Sequence, residues 1–379
     1  MNASGVSPLE SRSIPHSRPT STPAAERAIA AVLQSGQHAG GRVREEFVGA
    51  LTQRLGVEHG VATQSGSAAL HLALLALGAR PGTRVVVPSY VCGAVLNCVV
   101  ATGAKPLVAD IDAEHFGLNA ASVRRAIARE PLSERDVVCA VVVHAMGSPA
   151  PLHEWDLDFP VIEDCAMALG ARLAGREVGA RGALAVFSFY ATKMISCGQG
   201  GMAVTNDAAL AEKLRDLIRY DNRAEWRPSW NYPLADLNAA LGLAQLRCLD
   251  AFLSRRQAIA DRYLAVCERL GVTTQGVVPG ATPNNYRFVV RVEAPAALAA
   301  EFAADGIEAK APVFLPLHRY LHFARADFPA TERVYESALS LPIYPSLTDA
   351  QVTRVCDALT RALDRVRAPL AAGRARHLE

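Results

Sequence analysis

Lys193 closes an apolar run, Ala185-Val186-Phe187-Ser188-Phe189-Tyr190-Ala191-Thr192-Lys193, and a glycine cluster, Gly198-Gln199-Gly200-Gly201, follows closely. An apolar run that ends in Ser188 reads as a buried strand delivering a hydroxyl to its carboxyl end. A lysine just past such a strand stands where open α/β sheets bind ligands. A protonated amine is a poor nucleophile, but a desolvated one forms an imine with an aldehyde.

Two further segments give that lysine a context. Gln64-Ser65-Gly66-Ser67-Ala68-Ala69 stands where an apolar helix begins. The free N–H groups and partial positive charge of a helix start attract phosphate. Gly66 permits close backbone approach, and Ser67 offers a hydroxyl and an N-cap. Val161-Ile162-Glu163-Asp164-Cys165-Ala166 is an apolar strand ending in two carboxylates. A buried carboxylate needs a partner. A protonated pyridine nitrogen would serve Asp164, as would a helix start or a nearby arginine. A helix-start phosphate site, a strand-end aspartate, then a strand-end serine and lysine is the order found in fold-type-I enzymes that use pyridoxal 5'-phosphate (PLP). In those enzymes the cationic ring accepts electrons from the substrate.

The elements that must position these residues alternate. A helical pattern spans 24–55, with interruptions at Gly36 and Gly40-Gly41, and another helix begins near Ser67 with Leu70, Leu74 and Leu77 on one stripe. Strand-like runs follow at 84–87, 105–109, 136–144, 160–163, 183–189 and 202–205, separated by helical segments. Such alternation predicts a mostly parallel sheet covered on both faces. Val137–Val143 is apolar throughout, as a central strand buried on both sides requires. A long helical stretch, 234–270, leads to strands at 286–292 and 307–316, a helix at 295–305, a short segment at 340–344 and a final helix from Thr348 to about Arg365. The expected division is an N-terminal arm (1–23), a large domain (24–250) and a smaller C-terminal α/β domain (251–379).

Bulk properties exclude several classes. A chain of 379 residues with 50% hydrophobic and 20% charged residues is ordinary for a globular protein large enough for two cores. Net charge is +2 with acids and bases interleaved, which argues against nucleic acid or an anionic membrane as main partner. No apolar stretch reaches the length of a spanning helix, and the Ser- and Pro-rich start lacks a secretory segment. Eight cysteines without metal-type pairs read as reduced thiols in a cytoplasmic protein, with no metal site. Leu378-Glu379 could be vector-derived.

These motifs, in this order, resemble the DegT/DnrJ/EryC1/StrS aminotransferases over nearly the whole chain. The resemblance rests on Ile14-Pro15 through Glu26, Ser65-Gly66-Ser67-Ala68-Ala69-Leu70, Pro88-Ser89-Tyr90, Gly103-Ala104-Lys105-Pro106 and Asp110-Ile111-Asp112. It continues through Glu163-Asp164-Cys165-Ala166, Ser188 to Lys193, Asn231-Tyr232, Ala239 to Leu246, Pro316-Leu317-His318 and Ser340 to Pro345. It implies that Lys193 holds PLP as an imine and shuttles protons, and that Asp164 pairs with the ring nitrogen. Gly66, Ser67, Ala68 and Ser188 would bind the phosphate. Asn231 would reach the neighbouring subunit's phosphate, making the active unit a homodimer. Tyr190 and His318 would face the substrate. The family's dehydratase members carry histidine at the lysine position, and this chain does not.

Three positions depart from the pattern. Cys92 stands where an aromatic residue usually stacks on the ring, and Met167 stands where Gln or His usually lies near the ring hydroxyl. Asn231-Tyr232-Pro233 replaces Asn-x-Arg, so proline cannot serve as a carboxylate-binding arginine there. Arg219, Arg223, Lys310 and His318 are the candidates to hold the donor carboxylate instead. The expected reaction moves an amino group from glutamate or glutamine to a keto-sugar, nucleotide-linked in most of the family. A cyclitol ketone as acceptor and a non-catalytic scaffold are the alternatives.

Overall fold

The computed structural model describes residues 13–131 and 136–375, so Leu378-Glu379 lies outside the described residues. Among the described residues up to 205, nine strands arise: β1 (His59–Thr63), β2 (Arg84–Pro88), β3 (Lys105–Ala109), β4 (Val137–Val143), β5 (Val161–Asp164), β6 (Arg172–Leu173), β7 (Arg176–Glu177), β8 (Leu184–Ser188) and β9 (Gly201–Thr205). Seven of them form one sheet in the order β1-β9-β8-β5-β4-β2-β3. Only β9 runs against the others, pairing antiparallel with both β1 and β8. The carboxyl ends of β1, β2, β5 and β8 therefore share one edge of the sheet.

Both faces of the sheet are covered, as the apolar runs require. Side chains alternate along each strand. Val141 and Val143 enter one core with Leu72, Val87 and Ile162, while Ala140 and Val142 enter another with Val86, Leu107 and Phe159. Along β8, Val186 joins the first core, and Ala185 and Phe187 join a third with Phe47, Phe189 and Met202. Burying a valine or phenylalanine side chain fully contributes ~1.5–3 kcal/mol. These strands are therefore held with little freedom at the edge where the candidate chemistry lies.

The expected helical stretch 24–55 divides into helices Pro23–Ser35 and Arg42–Leu55, broken where Gly36 takes a left-handed backbone with φ 70°. The stretch 234–270 likewise divides into Asp236–Leu246 and Leu249–Leu270. The latter starts in the core around Phe47 and ends in another built on Ile259, Tyr263, Phe302, Leu341 and Val355. That core covers a three-stranded antiparallel sheet of β10 (Thr273–Thr274), β12 (Phe288–Arg291) and β13 (Ala338–Leu341). A separate small sheet joins β6, β7 and β11 (Ala281–Thr282). Helices Pro295–Ala304 and Asp349–Ala375 complete this part.

One expected strand is absent. Residues 307–316 make only isolated bridges, Ile307 with Ile14 and Lys310 with Ser340. Pro312 and Pro316 lack the N–H that a continuing ladder needs. Ile14 is buried in the Ile259–Tyr263 core, so this part of the N-terminal arm is docked rather than loose. Among the described residues, no helix is long and apolar enough to cross a membrane.

Candidate active site

A cavity of about 180 Å³ opens at the shared edge, lined by Gly66, Ser67, Cys92, Asp164, Ser188, Tyr190 and Lys193 among others. Segments from β1, β2, β5 and β8 thus converge on one space. The helix Gly66–Ala76 starts there, capped by Ser65, whose Oγ accepts the Ala68 N–H at 3.1 Å. This corrects the expectation that Ser67 is the cap. It also corrects the assignment of Ala68, whose N–H is already used and which does not line the cavity. The N–H groups of Gly66 and Ser67 have no acceptor within the helix. Gly66 is required by its neighbour, since a Cβ there would lie 2.7 Å from Ser188 Cβ. Gly201 is tighter still, with a Cβ falling 2.3 Å from the Ser65 carbonyl oxygen.

The two carboxylates of β5 point to opposite faces and do different work. Glu163 is fully buried, accepting N–H bonds from Gly179 (2.9 Å), Arg181 (2.6 Å) and Gly182 (2.7 Å). His144 Nδ1 accepts the Ala150 N–H at 3.0 Å, so its Nε2 donates to Glu163 at 3.1 Å. Burial alone would raise the Glu163 carboxyl; His144 and these amides outweigh it and hold the group below its usual range. His144, Glu163 and Cys165 lie close enough to suggest a metal site. The hydrogen bonds already explain this grouping, since both His144 nitrogens and both Glu163 oxygens are engaged.

Asp164 instead lines the cavity. Its pKa is raised, chiefly by burial, with the Ala166 N–H (2.9 Å) and the charge on Lys193 opposing. A buried carboxylate left in that condition is suited to a cationic partner within the cavity. Helix-start amides beside a strand-end hydroxyl, a carboxylate wanting a cation and a lysine fit the phosphate, ring nitrogen and aldehyde of PLP.

The remaining expected residues separate into groups. Cys92 is exposed at the start of helix Gly93–Ala101 and lines the cavity. Met167 does not; its side chain packs among three hydrophobic clusters. Asn231 is exposed and is not among the residues that line the cavity. His318 is fully buried, with Nδ1 2.6 Å from Ser89 Oγ and Nε2 2.8 Å from Glu332, and its ring stacks on Phe328. Both nitrogens are taken, so this chain's His318 does not face the cavity. Arg223 pairs with Asp216 at 3.1 Å and Lys310 with Glu308 at 2.7 Å, while Arg219 is exposed at a helix end.

Sequence reading missed Tyr286 and Arg287. Lys193 Nζ lies 5.1 Å from the centre of the Tyr286 ring, and the Arg287 guanidinium carbon lies 4.5 Å from it. Burial alone would raise the Tyr286 hydroxyl; Lys193, Arg287 and a hydrogen bond from Thr192 outweigh it and bring the group below the ordinary tyrosine range. No local motif marks these two residues, which read only as the start of a strand.

Comparison with known proteins decides the family. The profile of the DegT/DnrJ/EryC1/StrS aminotransferase family matches residues 20–360. The chain belongs to the DegT/DnrJ/EryC1/StrS aminotransferase family. It is 36% identical over 344 residues to a GDP-perosamine synthase of Caulobacter vibrioides, spanning 85% of this chain and 91% of that one. Its fold matches the aminotransferase TlmJ of Streptoalloteichus hindustanus with a TM-score of 0.86 and 29% identity, over 94% of this chain and all of that one. It also matches DesV of S. venezuelae, solved with a ketimine intermediate, with a TM-score of 0.82 and 34% identity over 89% and 94% of the two chains. This DegT-family aminotransferase thus has the fold-type-I architecture, and PLP dependence follows from its family.

Proposed function

We propose that this aminotransferase moves an amino group from glutamate or glutamine to the ketone of a nucleotide-linked sugar. The observation that carries the reading is the convergence of Lys193, Asp164, Ser188 and the Gly66 helix start on one cavity. The Caulobacter relative, a GDP-perosamine synthase, supports a nucleotide-linked sugar as acceptor.

The cofactor, when bound, supplies a carbonyl for imine exchange and a ring that takes up electrons from the substrate. The chain supplies the rest. The free N–H groups of Gly66 and Ser67, the helix dipole and the Ser67 and Ser188 hydroxyls hold the phosphate. Asp164 Oδ holds the ring nitrogen in its protonated form, and Glu163 with His144 fixes the strand that presents Asp164. Lys193 Nζ would hold the cofactor's aldehyde and, as the free amine, would take up the proton lost by the donor's α-carbon and return it during the transfer. Cys92 and Tyr190 line the space beside the ring. Asn231, exposed in one protomer, reaches the phosphate of its partner in a homodimer.

Full turnover is the test. Protein loaded with PLP, glutamate and a panel of nucleotide-linked keto-sugars should give 2-oxoglutarate and an amino sugar in equal amounts. Turnover only with free cyclitol ketones would redirect the acceptor assignment. Absence of 2-oxoglutarate and of any other oxo-acid with every donor would refute transamination.

A further inference from the structure

Tyr286 is buried and is not among the residues that line the cofactor cavity, yet it touches the lysine that does. Lys193 Nζ lies over its ring, 5.1 Å from the ring centre. Its hydroxyl accepts hydrogen bonds from Thr192, the residue just before Lys193, and from Arg287 Nη2 at 3.3 Å. One side chain therefore meets the lysine loop at two points. Among the described residues, no carboxylate lies within ion-pair distance of the Lys193 amine.

The ring is held from several sides. Tyr286 packs in the core that contains Phe187, Phe189 and Met194. Its N–H donates to Asn284 Oδ1 at 2.9 Å. Asn284 Nδ2 in turn donates to the carbonyls of Met167 (3.0 Å) and Leu169 (2.9 Å), in the segment that follows Asp164. Arg256, itself buried, donates through Nη1 to the Tyr286 carbonyl at 3.3 Å. Gly147 leaves the ring its room, since a Cβ there would lie 2.9 Å from Tyr286 Cβ. The lysine has a long flexible stem; the ring has little freedom.

We propose that Tyr286 is a positioning residue for Lys193, its ring being the seat that receives the amine freed from the cofactor and holds it while it carries the donor's proton. The assignment rests on the transamination reading above. A freed lysine regains the rotamer freedom of a four-carbon stem, and a fixed seat limits its search. An aromatic face is negative, so it attracts the amine as it becomes charged. In that step a proton moves from the donor's α-carbon to Nζ, and the electron pair of the C–H bond passes to the cofactor ring. A carboxylate in the same place would grip the ammonium far harder and delay its return. A ring holds it loosely enough to leave.

NMR of cofactor-free protein carrying 13C-labelled lysine tests the seat without any chemistry. The chain has only Lys105, Lys193, Lys213 and Lys310, so Lys193→Ala assigns the signal. Protons held over an aromatic face resonate upfield, and the Lys193 ε-methylene should lie upfield of the other three. Tyr286→Phe should keep that shift and Tyr286→Leu should remove it. A wild-type Lys193 signal that coincides with the other lysines would overturn the seat. The half-reaction of PLP-loaded protein with glutamate tests the consequence. In Tyr286→Leu the limiting rate should fall about 2- to 30-fold at an unchanged donor dissociation constant. Deuterium at the glutamate α-carbon should slow this variant more than it slows the parent, and Tyr286→Phe should restore most of the rate. A parental rate and isotope effect in folded Tyr286→Leu, or a change in the donor constant alone, would overturn the proposal. Should Tyr286→Leu fail to fold, Tyr286→Phe decides, because loss of the upfield shift with the ring intact overturns the seat and its retention sustains it. A wild-type protein with the upfield shift whose cofactor no amino donor converts defeats the transamination reading instead.

Discussion

At the scale of single residues, neighbours on one strand divide support from chemistry. Glu163 is satisfied by four donors and stabilises the fold, whereas Asp164 is buried with fewer partners and is the carboxylate proposed to serve the cofactor. Replacing Asp164 by Asn should remove a buried charge that the cofactor-free protein holds at a cost. The thermal midpoint of the cofactor-free variant should therefore equal or exceed that of the parent. The same variant should bind PLP more weakly by about 2–5 kcal/mol, read by fluorescence titration. Unchanged affinity would remove Asp164 from the ring-nitrogen role. Glu163→Gln should do the opposite, costing about 1–3 kcal/mol of stability in urea unfolding because an amide NH2 would face the Arg181 or Gly182 N–H. The lowered pKa of Glu163 also fixes a sign for pH. Its stabilisation is present above the usual carboxylate range and is lost as pH falls through its folded value.

At the scale of elements, the site depends on two close approaches. Gly66→Ala would push a methyl against Ser188, and Gly201→Ala would push one into the Ser65 carbonyl. Each should cost about 1–3 kcal/mol in folding stability, and the first should also weaken phosphate binding. The docked arm adds a pH response. Burial, with Arg287 and Lys310 nearby and only Glu308 opposing, lowers His16 from 6.5 to about 3. Below pH 6.5 the unfolded chain takes up a proton at His16 that the folded one refuses, so stability falls as pH drops toward 3. His16→Gln should flatten that part of a melting-temperature profile against pH, and an unaltered slope would contradict the arm's contribution. The same close approaches show what could be read in advance. Val137–Val143 and Lys105–Ala109 were legible because continuous apolar runs in a parallel sheet leave little ambiguity. Residues 307–316 misled because an apolar composition masked the two prolines. The capping by Ser65 escaped notice because Ser65 and Ser67 both suit a helix start, and only the backbone distinguishes them.

At the scale of the whole molecule, the site gathers residues separated by more than two hundred positions. Gly66, Asp164, Lys193 and Tyr286 meet because the sheet's carboxyl edge faces the segment before β12. The motifs around Lys193 were readable as local patterns with chemical meaning. Tyr286 was not, since only tertiary packing brings it to the lysine. If Asn231 acts across a dimer, mixing inactive Lys193→Ala and Asn231→Ala proteins should restore about a quarter of wild-type activity, because each mixed dimer holds one intact site. No recovery after subunit exchange would place Asn231 outside its partner's site. The most direct measurement of the central claim is borohydride reduction of PLP-loaded protein followed by peptide mass analysis. The account predicts one phosphopyridoxyl group, on the peptide containing Lys193, and a colourless Lys193→Ala protein. Labelling of a different lysine, or undiminished colour in that variant, would contradict it.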